Sequence, residues 1–162
     1  MRSADLSNDG LYRYELRRTW GSGEIMAWIM LNPSTADAEV DDNTIRKCMK
    51  FAQREEYDGI VVINLYARRC TKPKHLLDPG DPEGMLNWIA WANVLSDHRV
   101  GLVMAGWGAG TPKGVPPSKA LGTVPLMLRS SWQCLGHNAD GSPKHPLYLA
   151  DVTPYERFRS HG

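Results

Sequence analysis

Asn32, Asn64 and His145 are the residues of this 162-residue chain whose types and positions best suit chemistry on a small molecule. Asn32 closes the apolar run 25–31 as Asn32-Pro33-Ser34, Asn64 closes the apolar run 60–63, and His145 comes late, in His145-Pro146-Leu147-Tyr148. The carbonyl oxygen of Asn32 can hold a water, although it is too weak a base to deprotonate one. Asn64 offers a donor and an acceptor on one amide, which suits the amide or imide edge of a nucleobase. His145 can donate to a pyrimidine carbonyl as negative charge builds on it. Together these groups suit cleavage of an N-glycosidic bond, whose transition state pairs an oxocarbenium-like sugar with an anionic base. A base in a duplex would first have to leave the stack. Taken singly each residue has a plainer role: Asn-Pro after a strand is commonly a turn, Asn64 could cap a loop, and His145 could sit satisfied at the surface.

Other groups fall near these three. Pro33 and Ser34 share the first loop. Gly106 and Trp107 follow the apolar run 100–105, and Tyr66 follows Asn64. Trp107 and Tyr66, just past strand ends, could lie on a base. Arg68 and Arg69 open a basic run that continues through Lys72, Lys74 and His75, and Lys144 precedes His145. These cations are expected to flank the site and contact phosphate. Asp37, Glu39, Asp41 and Asp42 have two readings. They form a solvated loop with a helix cap, or they hold a divalent cation or supply Asp37 or Asp42 as a general base. The solvated loop with a helix cap is the reading expected. The glycine loop 106–110 lacks the GK[ST] of a triphosphate-binding loop, and no GxGxxG is present, which excludes dinucleotide and nucleoside-triphosphatase readings.

The elements that must position these residues follow from pattern. Residues 11–20 alternate, and with 25–31 they suggest a β-hairpin whose outer strand, with Arg13, Glu15, Arg17 and Arg18, is half exposed. Residues 44–56 place Ile45, Cys48, Met49 and Ala52 at helical spacing after Asp41-Asp42-Asn43. A helix between the apolar runs 25–31 and 60–65 makes these runs parallel neighbours. Residues 66–84 form a long loop, and 85–95 a buried helix with Trp88 and Trp91 in the core. Residues 100–105 form a third parallel strand and 133–135 a fourth. Residues 118–131 suggest a helix interrupted by Gly122 and Pro125. The tail after Asp151 shows no clear element. The fold expected is a three-layer α/β/α sandwich: a mostly parallel sheet of about four strands, with an antiparallel N-terminal strand, in a single domain spanning 1–162. In such sheets ligands bind beyond the carboxyl ends of the strands, where Asn32, Asn64 and the 106–110 loop all lie.

Bulk properties agree with a soluble globular chain. Charged residues make up 23% and the net charge is +1, so any nucleic-acid binding must come from a local patch. No apolar run approaches a membrane span, and residues 1–5 open no signal peptide, so a cytoplasmic location is expected. Cys48, Cys70 and Cys134 form no CxxC pair, which removes a zinc-ribbon or redox reading.

Four motifs carry a resemblance: Leu31-Asn32-Pro33-Ser34-Thr35-Ala36-Asp37, Asp41-Asp42-Asn43-Thr44-Ile45-Arg46, Asn64-Leu65-Tyr66-Ala67-Arg68, and His145-Pro146-Leu147-Tyr148-Leu149. In these the chain resembles a family of small bacterial and phage proteins of unassigned function. More distantly it is similar to the uracil-DNA glycosylase superfamily. That likeness implies catalytic roles for Asn32 and His145, base reading by Asn64, a Gly106 turn and no cofactor. The chain departs from that superfamily in three places: Met30 replaces a glycine, residues 34–45 contain no aromatic, and Leu147 replaces a serine. The function the resemblance implies is glycosylase-like hydrolysis of a nucleobase, modified or not, in DNA. The alternatives are a hydrolase or transferase of a free nucleoside or nucleotide, and a non-catalytic nucleobase or nucleic-acid-binding module. The partner expected is thus DNA or a nucleotide, with no membrane and no protein partner.

Overall fold

The computed structural model describes residues 1–159; the last three residues of the expected 1–162 span lie outside the described residues. Its centre is set by two runs, Ile25–Met30 (β3) and Gly59–Asn64 (β4), in which every residue is buried. An unbroken apolar strand needs cover on both faces. The side chains of Ile25, Ala27 and Ile29 pack with Val61 and Ile63, and with Trp91 and Val94 of α2 (Asn87–Leu95) and Ala120 of α3 (Lys119–Thr123). Those of Met26, Trp28 and Met30 pack with Ile60 and Val62, and with Ile45, Cys48, Phe51 and Ala52 of α1 (Asn43–Arg54).

The fold is mixed α/β. Its remaining strands are β1 (Arg2–Leu6), β2 (Arg13–Thr19), β5 (Val100–Ala105), β6 (Gln133–Cys134) and β7 (Glu156–Arg157). Among the described residues one seven-stranded sheet runs in the order β1-β2-β4-β3-β5-β6-β7. The four strands β4, β3, β5 and β6 are mutually parallel, while β1, β2 and β7 add antiparallel edges.

The expected hairpin of residues 11–31 does not form. Strand β4 comes between β2 and β3, pairing antiparallel with the first and parallel with the second. Both edges of β3 are taken, by β4 and β5, so β2 has no place beside it. The intervening loop instead crosses the head of β4, where Trp20 and Gly21 donate to Asp58 O. The true hairpin joins β1 and β2, and residue 14 is its irregularity: Asp5 pairs with Glu15 and Leu6 with Arg13, which leaves Tyr14 as an extra residue. Such a bulge breaks the alternation of side chains. Leu16 lies among the α1-side residues. Tyr14 packs with Ala90 of α2, whereas Arg13 reaches Ala36 on the α1 side. Arg13 is consequently buried, and Arg18, on the same face as Leu16, is buried too; neither is half exposed.

Three further expectations change. Trp88 is exposed on the outer side of α2, while Trp91 is core. Residues 118–131 divide into α3 and the short α4 (Leu126–Arg129), separated at Val124-Pro125. The tail contributes β7, which pairs with β6. The long loop 66–84 holds one 3₁₀ turn, Pro73–Leu77. No helix among the described residues is long and apolar enough to cross a membrane.

Candidate functional site

Beyond the ends of β3, β4 and β5 lies a cavity of about 440 Å³, within the range usual for small-molecule sites. Its wall contains Asn32, Ser34, Asn64, Asp42, Trp107 and His145, brought together from five separate stretches of chain. Arg13, Thr44, Cys70, Gly108 and Tyr148 join them there.

Asn64 is the last residue of β4 and has no solvent exposure. Its backbone carbonyl accepts from Asn87 Nδ2 (3.1 Å) and Trp91 Nε1 (2.9 Å), so α2 holds it from behind. Neither Nδ2 nor Oδ1 of its own side chain has a partner. Six buried side-chain polar atoms lack partners among the described residues, and three of them belong to Asn64 and Arg13, both in the cavity wall. Leaving such a group unpaired costs about 1–3 kcal/mol, so this concentration calls for an occupant.

Asn32 is placed by an extension of the sheet's pairing past the strand ends: Leu65 N donates to Met30 O, Tyr66 N to Leu31 O, and Cys70 N to Pro33 O. Asn32 Nδ2 donates to Cys70 O (2.7 Å) and Pro33 O (3.0 Å). That commits the nitrogen to the loop and leaves Oδ1 as the free acceptor. His145 caps the 3₁₀ turn Pro146–Tyr148, accepting at Nδ1 from Leu147 N (3.2 Å). The proton therefore sits on Nε2, which is the donor left for a ligand. Burial holds the imidazole pKa below its ordinary value, with the charge of Asp42 opposing, so the ring is neutral at neutral pH.

Two glycines shape this corner. A Cβ on Gly106 would meet Met30 Sδ at 3.1 Å, Trp28 Cε3 at 3.2 Å and Pro146 Cδ at 3.3 Å. Gly106 thus lets the His145 loop close on the strand ends and is not itself in the cavity wall. Gly108 does line the cavity, has φ +72°, and lies against His145 Cβ.

Asp42 is the N-cap of α1, its Oδ1 accepting from Ile45 N (2.9 Å). Asp37, the other carboxylate considered as a base, lies outside the wall. Its Oδ1 accepts from Glu39 N and Val40 N, and these bonds hold its pKa below the usual value. The acidic loop is chiefly an architectural one: Asp41 pairs with Arg18 Nε at 2.8 Å and with Arg2.

Most of the other expected contacts lie away from the cavity. Tyr66 is buried in the α2-side core and donates its hydroxyl to Pro116 O (2.6 Å). Arg68 donates to Asp78 O and Pro79 O, and Arg69 to Gly10 O. Both tie loops together, Arg69 through that single bond with its Nε left unpaired. Pro33 is buried, with its carbonyl bonded to Cys70 N. Lys144 is exposed beside Gly136. Trp107 lines the cavity but its ring meets Phe158 edge-on at 5.1 Å.

Arg13 and Tyr148 are in the wall without having been singled out for it. Tyr148 is 82% exposed and its ring lies 5.5 Å from that of His145, so an aromatic stands at the rim although none occurs in residues 34–45. A metal could be held by Cys134, His137 and Glu156, the cluster of that kind found among the described residues, at the β6–β7 edge and outside this cavity. There His137 Nδ1 meets Glu156 at 2.6 Å and Nε2 accepts from Arg159 N, so the imidazole is already satisfied without an ion.

Residues 13–147 match the family described as "Protein of unknown function (DUF1643)", and the chain belongs to that family. Neither the curated proteins nor the solved structures contain a significant match to it.

Proposed function

We propose that this chain is a glycosylase-like hydrolase that cleaves the N-glycosidic bond of a nucleobase, modified or not, in DNA. The observation that carries the reading is the Asn64 amide, wholly buried in the wall of a ligand-sized cavity with both its donor and its acceptor unpaired. A pyrimidine imide edge, N–H beside C=O, satisfies both at once. Asn32 Oδ1 then positions water at the sugar carbon. The water oxygen bonds that carbon as the carbon–nitrogen bond breaks, and the bonding pair leaves with the base. His145 Nε2–H stabilises the charge on the base carbonyl. The released water proton passes to the Asp42 carboxylate, and the departing base is protonated from solvent. Helices packed against opposite faces of the four parallel strands support a three-layer arrangement of the uracil-DNA glycosylase kind.

Incubation with oligonucleotides carrying uracil and a panel of modified bases tests this reading, with abasic sites and free base as the readouts. Release is expected, and Asn64→Ala or His145→Asn should each slow it about a hundredfold or more. Absence of release from every substrate would remove the proposal.

One observation favours a free nucleoside or nucleotide as the substrate. The Arg68 guanidinium is spent on two backbone carbonyls, Arg69 Nη1 on a third, and neither side chain lines the cavity, so these two cations contribute little to a phosphate track there. Base release from mononucleosides at rates above those from DNA would select this second reading.

A further inference from the structure

Two buried arginines stand on β2, and they are treated differently. Arg18, 1% exposed, is fully engaged: Nε pairs with Asp41 at 2.8 Å, Nη1 donates to Ser3 O and Arg17 O, and Nη2 to Asp37 O. Arg13, 2% exposed, has one side-chain bond, Nη1 to Ala36 O at 2.7 Å. Its Nε is buried without a partner, Nη2 makes no hydrogen bond, and no carboxylate lies within ion-pair distance among the described residues, although the charges of Asp42 and Asp37 favour the cation from farther off. A buried, unpaired guanidinium is costly, and an isolated one persists only where something completes it. The Tyr14 bulge carries this side chain to the α1 side of the sheet and into the cavity wall.

We infer that the ligand of this cavity carries an oxyanion, a carboxylate or a phosphate, seated on the free Nε–Nη2 edge of Arg13. That edge offers two roughly parallel N–H donors, the spacing that two oxygens of one anion accept together. Nη1, held by Ala36 O, orients the fork. The inference rests on the nucleobase reading only for the scaffold that bears the anion. A carboxylate substituent on the ring and the phosphate of a nucleotide are its two sources.

Binding of four compounds to the full chain, measured by calorimetry, decides the matter: uracil, 5-carboxyuracil, uridine 5′-monophosphate and inorganic phosphate. An anionic compound should bind about tenfold or more tightly than uracil, and Arg13→Lys and Arg13→Gln should each remove that preference. Preference for 5-carboxyuracil places the anion on the ring; preference for the monophosphate or for phosphate alone places it on a phosphate. Equal affinity for charged and neutral compounds in the unaltered protein overturns the inference, whether or not the variants fold. So does a preference that survives both substitutions. Phosphate binding without any base binding leaves the inference standing and removes the glycosylase reading. Base release with no anion preference does the reverse.

Discussion

Asn64 is a residue whose chemistry opposes the stability of the fold that holds it. Its amide is buried and unpaired. An apolar side chain of similar shape would remove that penalty. Asn64→Leu is therefore expected to leave thermal stability unchanged or raise it by about 1 kcal/mol, while abolishing ligand binding. Urea denaturation beside a binding assay checks both halves, and a marked loss of stability would show that the amide is satisfied in solution. His145 gives a second prediction. Burial lowers its folded-state pKa, so between that value and the ordinary histidine pKa of about 6.5 the unfolded chain binds more protons than the folded one. Its contribution to stability is complete above that ordinary value and is lost as pH falls through the window below it. Asp9, Asp37 and Asp97, whose carboxyl pKa values are lowered, add their own acid sensitivity. The His145 share is the difference between melting profiles of the native chain and His145→Asn, which should be flatter as pH falls below the ordinary histidine value.

At the scale of elements, α1 both covers the sheet and serves the cavity. Asp42 stands at the junction of these tasks, capping the helix with one oxygen while lining the cavity. Asp42→Ala should cost about 1 kcal/mol through the lost cap, whereas Asp42→Ser should restore most of it. If the carboxylate takes the water proton, both variants lose turnover alike, which separates the two roles. Elements also mark where the sequence was legible. The parallel pair β3–β4 and the helix between them were readable because two unbroken apolar runs flank a strongly periodic segment. Convergence of Asn32, Asn64 and His145 followed from the rule that parallel strands share one carboxyl edge. The partner of β2 was not readable, because adjacency in sequence favours a hairpin and nothing local reports that β4 intervenes. Nor was Arg13: alternation assigns it to the same face as Glu15 and Arg17, and the bulge that overrides this appears only in the pairing with β1. Arg68 and Arg69 show the opposite failure, since a run of cations says nothing of the carbonyls folded around them.

For the whole molecule, a net charge of +1 leaves little long-range pull on a polyanion. Lys72 and Lys74 are exposed on the loop that supplies Thr71 and Pro73 to the cavity wall. With so few free cations near the opening, any DNA binding should show a shallow dependence on salt, equivalent to about two or three phosphates. Fluorescence anisotropy of a labelled oligonucleotide across a salt series measures that slope. A steep slope would locate a larger basic surface away from this cavity and disfavour the free-nucleoside reading.

The single extra residue in β2 acts on side-chain direction much as a frameshift acts on codons. Everything on the N-terminal side of Tyr14 is inverted relative to a regular strand, and Arg13 is the first residue to feel it. Removing Tyr14 would restore simple alternation and leave Arg13 opposite Leu6, still facing the α1 side, whereas pairing the present sequence without a bulge would turn Arg13 to the other face. The charge offered to the ligand thus depends on how the extra residue is absorbed, even where every other wall residue is the same.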